Sequence, residues 1–113
     1  MFPMKPESAN LPGGNGEAAS LEARAVFALL GNKTRLAILQ ILLDGRPRTA
    51  TDMAAALQRD FDGVSKQLRL LREGGLLVDF PGEDRRFLYF RIPEKYRQTP
   101  GLLDFGVCTI RLP

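Results

Sequence analysis

The sequence predicts a mostly helical α+β fold, four short helices closed by a strand hairpin, and three observations predict it. Apolar residues recur at helical spacing in four successive segments. Turn signals separate the segments at Gly31-Asn32, Gly45-Arg46-Pro47 and Gly74-Gly75. After the last of these come a short apolar run, the turn Pro81-Gly82-Glu83-Asp84 and the strand formers Arg86-Phe87-Leu88-Tyr89-Phe90-Arg91-Ile92.

Residues 1–16 hold three prolines, three glycines and no apolar run, so residues 1–19 are expected to form a flexible arm, neither signal peptide nor helix. The first helix is expected over residues 20–30. Ser20 is its N-cap, Glu22 lies in its first turn, and Leu21, Ala25, Ala28 and Leu29 share a face. The second begins near Asn32 or Thr34. Its wide apolar face (Leu36, Leu39, Ile41, Leu42, Leu43) marks it as central to the core, and Gly45 lies just past its end. Pro47 and Thr49 form a short extended link. The third helix is capped by Thr51 and carries Met53, Ala54 and Leu57 among small alanines that suit close helix approach. The fourth has Asp60 as N-cap and Val64, Leu68 and Leu71 at helical spacing. Strands over residues 76–80 and 86–92 complete a two-stranded hairpin. Residues 105–112, rich in β-branched side chains, read as an extra C-terminal strand. The organisation is an arm (1–19), a helical and hairpin domain (20–97) and a C-terminal extension (98–113) that is a candidate dimer contact.

Composition narrows the chemistry. A chain of 113 residues with 44% apolar content supports one small domain with a real core. Its single cysteine cannot form an internal disulfide or a zinc cage, and the absence of histidine excludes His-based triads, proton shuttles and His-ligated metals. Asp44, Asp52 and Asp79 are scattered without the paired spacing of acid–base catalysis, so an enzyme, a metal and a cofactor are not expected. The apolar stretch at residues 25–43 is broken by Gly31-Asn32-Lys33-Thr34-Arg35, which argues against a membrane span and for a cytoplasmic protein. Sixteen Lys and Arg against 13 Asp and Glu give a net charge of +3, compatible with a nucleic-acid partner.

Two helices joined by a short turn and followed by a hairpin with basic residues at its tip describe a winged helix-turn-helix. In such a module the second helix of the pair enters the major groove of double-stranded DNA. With Val64, Leu68 and Leu71 inward, the outward face carries Asp62, Lys66 and Arg69, flanked by Gly63 and Ser65. Gly63 lets the backbone approach phosphates, and Arg59 reaches them from just before the helix. Lys66 suits a guanine edge or a phosphate, and Ser65 and Gln67 can do either job more weakly. Asp62 suits a cytosine amino group or the helix dipole. Arg85 and Arg86 lie where a wing touches the minor groove or flanking backbone, offset by Glu83 and Asp84. The plain alternative for each charge is a solvated face.

The segment Leu30-Gly31-Asn32-Lys33-Thr34-Arg35-Leu36-Ala37-Ile38-Leu39, followed by Val64-Ser65-Lys66-Gln67-Leu68-Arg69-Leu70-Leu71-Arg72-Glu73-Gly74-Gly75-Leu76-Leu77, resembles the ArsR/SmtB family of winged-helix repressors. The resemblance covers roughly residues 21–93. It implies a homodimeric transcriptional regulator, usually a repressor released by a metal or another signal. Ser65, Lys66 and Gln67 match the family's recognition-helix positions, and Arg85-Arg86 match its wing. Two departures stand out. Metal-sensing members carry a Cys-containing motif where this chain has Ala50-Thr51-Asp52-Met53-Ala54, and others bind zinc through His and acidic residues on a last helix. The resemblance therefore implies a relative that senses no metal. Its dimer contact, through the first helix or the C-terminal strand, departs from terminal-helix pairing; that strand could join the wing sheet or its symmetry mate.

Two functions remain. One is a dimeric, sequence-specific DNA-binding regulator; the other is a winged helix used for protein–protein contact, kept open by Asp60, Asp62, Glu83 and Asp84. Cys108, placed on an apolar strand, is read as a packing residue. A redox-sensing thiol is the sharper alternative, disfavoured because Arg111, its nearest cation, falls on the opposite strand face.

Overall fold

The computed structural model describes residues 21–112, and the expected arm and the Ser20 cap lie outside them. Helix α1 (Ala23–Leu30) starts at Glu22, whose carboxylate accepts from the amides of Arg24 and Ala25 at 3.0 and 3.3 Å. Its inner face is Val26, with Leu29 and Leu30 packed beside it, while Ala25 and Ala28 are exposed. Leu21 and Leu29 of the expected face pack against the core, while Val26 and Leu30 replace Ala25 and Ala28 there because they bury more apolar area than alanines do.

Helix α2 (Lys33–Ile41) is capped by Asn32, which accepts from the Arg35 amide at 2.9 Å, and it continues through a 3-10 turn at Leu42–Asp44. It is the central helix, as expected. Ile38, which the expected face omits, is fully buried with Leu39 and Leu42, whereas Leu36, Ile41 and Leu43 are half-buried.

Helix α3 (Ala50–Leu57) begins two residues earlier than expected. Thr49, not Thr51, is the N-cap: its hydroxyl accepts from the Asp52 amide at 3.1 Å, and the Asp52 carboxylate accepts from the Thr49 amide at 3.0 Å. The reciprocal box needs an acid three residues on; Thr49 has Asp52, and Thr51 has only Ala54. Helix α4 spans Phe61–Glu73.

The extended link is a third strand of the wing. Strand β1 (Arg48–Thr49) pairs antiparallel with β3 (Leu88–Arg91), which pairs on its other side with β2 (Val78–Pro81). The sheet therefore has three strands rather than two. Both long strands are shorter than expected, because Leu76, Leu77 and Ile92 turn into the core instead of pairing.

The C-terminus also departs from the single strand expected over residues 105–112. It forms a hairpin of β4 (Leu102–Asp104) and β5 (Thr109–Arg111), a separate two-stranded sheet that does not join the wing. In its turn the Asp104 carboxylate accepts from the Gly106 amide at 2.9 Å, and Gly106 takes φ 86°, a conformation that suits glycine. Leu103 and Phe105 drop into the core, the latter edge-on to Tyr96 with ring centroids 5.1 Å apart. Among the described residues, no single helix is long and apolar enough to cross a membrane.

Candidate nucleic-acid interface

Helix α4 separates two chemistries around its circumference. Val64, Leu68 and Leu71 are at most 1% exposed, and each contributes roughly 1.5–3 kcal/mol by burial. Asp62, Lys66 and Arg69 are exposed on the outer face, with Gly63 and Ser65 half-exposed at its flanks, the arrangement expected from the spacing. Asp60 caps the helix, accepting from the Gly63 amide at 2.8 Å. A Cβ on residue 63 would lie 3.1 Å from that carboxylate, so Gly63 protects the cap as well as leaving the surface open.

Gln67 departs from its expected role. It is half-buried, and its Oε1 accepts from Arg35 Nη1 at 2.7 Å. Bidentate adenine readout needs both the oxygen and the nitrogen of the amide, and the oxygen is committed. Arg35 also donates from Nε to the Leu29 carbonyl at 2.6 Å and from Nη2 to the Ala28 carbonyl at 3.2 Å. This α2 arginine thereby closes the free carbonyl end of α1 and holds α4. Sequence reasoning did not single it out. The available signal was a second cation, two residues after Lys33, inside the apolar stretch of residues 25–43.

Between α3 and α4 the chain turns through Gln58, which takes φ 55°, and Arg59. The Arg59 side chain is exposed and has no hydrogen bond or ion pair among the described residues. It lines an open recess of about 110 Å³ together with Thr34, Asp60, Gly63 and Gln67.

The wing is braced against α4 by an ion pair between Arg72 and Asp79 at 2.9 Å. At its tip the two arginines differ. Both Asp84 oxygens take the Arg86 guanidinium, at 2.6 Å from Nη2 and 3.0 Å from Nε, and Asp84 also accepts from the Arg86 amide. Hydrogen bonding from Arg86 holds the Asp84 carboxyl below its ordinary value, and Asp84 pushes Arg86 up in turn. Arg85 is exposed and unpaired among the described residues, so the tip presents one free cation and one neutralised by its neighbour. Phe87, 44% exposed, sits under the Arg86 guanidinium at 5.7 Å.

Cys108 lies in the turn before β5 rather than on a strand, which removes the face argument that set Arg111 against it. It is half-buried against the core, and its carbonyl accepts from the Phe105 amide at 2.9 Å. Among the described residues, no group of three or more His, Cys, Asp or Glu side chains is placed to hold a metal ion.

Residues 30–79 match a family model described as a helix-turn-helix domain. The arsenical resistance operon repressor of Escherichia coli (strain K12) is 37% identical over 54 residues, 48% of this chain and 46% of that protein, so the chain spans about half the length of that curated relative. Among solved structures, the homodimeric winged helix-turn-helix DNA-binding domain of Mb0332 from Mycobacterium bovis, a possible ArsR-family transcriptional regulator, is 30% identical. It superposes with a TM-score of 0.59 over 67% of this chain and 68% of that one. The transcriptional regulator HlyU from Vibrio vulnificus is 25% identical, with a TM-score of 0.57 over 67% of this chain and 77% of that one. HlyU from Vibrio cholerae, 22% identical with a TM-score of 0.58 over 67% of this chain and 80% of that one, shares the fold.

Proposed function

The chain belongs to the ArsR/SmtB family of winged helix-turn-helix proteins, and from that premise we propose that it is a homodimeric, sequence-specific DNA-binding regulator of transcription. It acts as a repressor in the cytoplasm and has no catalytic role. The observation that carries the reading is the division of α4 into a fully buried apolar face and an exposed face bearing Lys66 and Arg69. An exposed helix of this kind fits the major groove, where Lys66 reaches a guanine edge or a phosphate, Ser65 assists, and Arg69 adds charge farther along. Arg85 reaches the flanking DNA from the wing, with Arg86 beside it.

A second copy of the chain completes the reader. Phe27, 55% exposed on α1, gives that helix an apolar face for a partner, and the hairpin of β4 and β5 is the other candidate contact. Two copies would place two recognition helices about one helical turn apart, ~34 Å along the duplex. Selection of duplexes from a random-sequence pool by the purified full chain tests the reading. Enrichment of a two-fold symmetric sequence supports it, and absence of any enriched sequence at physiological salt contradicts it.

One observation favours a different use. Phe61 is 51% exposed between Asp60 and Asp62 at the leading end of α4, an apolar and acidic patch that suits a protein better than phosphates. Under this reading the winged helix docks on another protein. The same selection would then recover no sequence, while a protein would co-purify with the chain.

A further inference from the structure

We infer that the recess between α2, the α3–α4 turn and α4 is an anchor for one backbone phosphate of DNA, gripped by Arg59, Thr34 and Gln67. The inference rests on the DNA-binding reading above and gives Gln67 a different task within it. Three elements bring their polar groups to this one opening of about 110 Å³: Thr34 from the first turn of α2, Arg59 from the inter-helix turn, and Gln67 from the second turn of α4. A phosphodiester carries one negative charge on two oxygens and accepts hydrogen bonds only. The lining supplies what that group needs: a guanidinium without an ion pair among the described residues, a hydroxyl, and an amide nitrogen.

The orientation of Gln67 follows from Arg35. Because Oε1 accepts from Arg35 Nη1 at 2.7 Å, the amide presents Nε2 with its two hydrogens as its remaining polar group. A side chain fixed in this way loses little freedom on binding, unlike an exposed glutamine that must be ordered first. Arg35 is thus a positioning residue, and it touches no phosphate. Asp60 also lines the recess. Its carboxylate is committed to the Gly63 amide at 2.8 Å, and its charge makes Arg59 necessary to any anion bound there. The absent side chain at Gly63 keeps the opening clear. Phosphate contacts of this kind fix the register of a protein on the duplex without reading sequence.

The test is equilibrium binding of the full chain to two duplexes, one recovered by selection and one of random sequence, across a range of salt. Arg59→Gln should weaken both duplexes equally, by roughly tenfold, as expected for a charge-assisted hydrogen bond. It should also lower the slope of log affinity against log salt by about one. Thr34→Val should weaken both without changing the slope. A single uncharged methylphosphonate at the contacted position should weaken wild-type binding more than it weakens Arg59→Gln. If Thr34→Val melts early, Arg59→Gln and the methylphosphonate series decide the matter alone. An Arg59→Gln slope equal to wild type, with Lys66→Ala lowering it, would overturn the anchor and leave the DNA-binding reading standing. Failure of the wild-type chain to bind either duplex would overturn both.

Discussion

Arg35 and Gln67 meet at 2.7 Å, a single hydrogen bond that joins the central helix to the outward flank of α4. The same guanidinium holds the Leu29 and Ala28 carbonyls at the end of α1, so three helices converge on one side chain. Arg35→Ala should therefore destabilise the fold by about 2–4 kcal/mol, since it strands two carbonyls and one amide oxygen. Gln67→Ala removes one partner and should cost about 1 kcal/mol. Arg35→Lys should recover less than half of the loss, because an ammonium cannot reproduce the guanidinium fork. Urea unfolding of the three variants checks the order.

Asp60 serves the fold and opposes the ligand. It caps α4 and also carries a negative charge beside the surface proposed to meet phosphates. Asn caps a helix about as well as Asp, so Asp60→Asn should leave stability within about 0.5 kcal/mol of wild type. It should also tighten binding to selected and random DNA alike. Asp60→Ala should instead cost about 1 kcal/mol of stability. Thermal melts paired with binding isotherms separate the two effects.

The wing arginines should not be equivalent. Arg85 is free of ion pairs among the described residues, whereas Arg86 is held by Asp84. Arg85→Ala should reduce the salt slope of DNA binding by about one, and Arg86→Ala by clearly less. Asp84→Ala should release Arg86 and raise affinity. Equal losses from the two arginine variants would refute this division of labour.

Acid stability should carry a signature of Asp44. Its carboxylate accepts from Arg48 at 3.0 and 3.2 Å, and that bonding holds its pKa below the ordinary 3.8. The folded state thus binds the proton less readily than the unfolded chain does. The contribution is present in full above 3.8 and is lost as the pH falls through the lowered value. Asp44→Asn should be less stable than wild type near neutrality, and the gap should close on acidification below pH 3.8. Because the Asp44 side chain is 44% exposed, added salt should narrow the gap at neutral pH too. Denaturation series at several pH values provide the measurement.

The elements legible in the sequence were those with both a local signal and a periodic one. Asp60 is followed by Val64, Leu68 and Leu71, so cap and face agree, and helix α4 forms where the spacing places it. Thr51 stands in a run of small residues with no periodic cue to its phase, and the deciding feature was the Asp three residues after Thr49. The β1 strand is two residues long and exists only because β3 offers it a partner. The C-terminal hairpin likewise depends on distant packing. Leu103 and Phe105 turn inward onto Tyr96, a contact that strand propensity within residues 105–112 does not encode. Within the candidate site, Lys66, Arg69 and Asp62 followed from helical geometry alone. The engagement of Gln67 by Arg35 did not, because it spans 32 positions of sequence.

The central claim is that the outer face of α4 reads DNA sequence, and competition between a selected duplex and random duplex at physiological salt tests it most directly. The wild-type chain should prefer the selected duplex by at least ~10³-fold. The double variant Lys66→Ala, Arg69→Ala should lose most of that preference, flatten the salt dependence and keep the wild-type melting behaviour. Equal and weak binding of both duplexes by the wild-type chain, or a preference undiminished in the double variant, would contradict it.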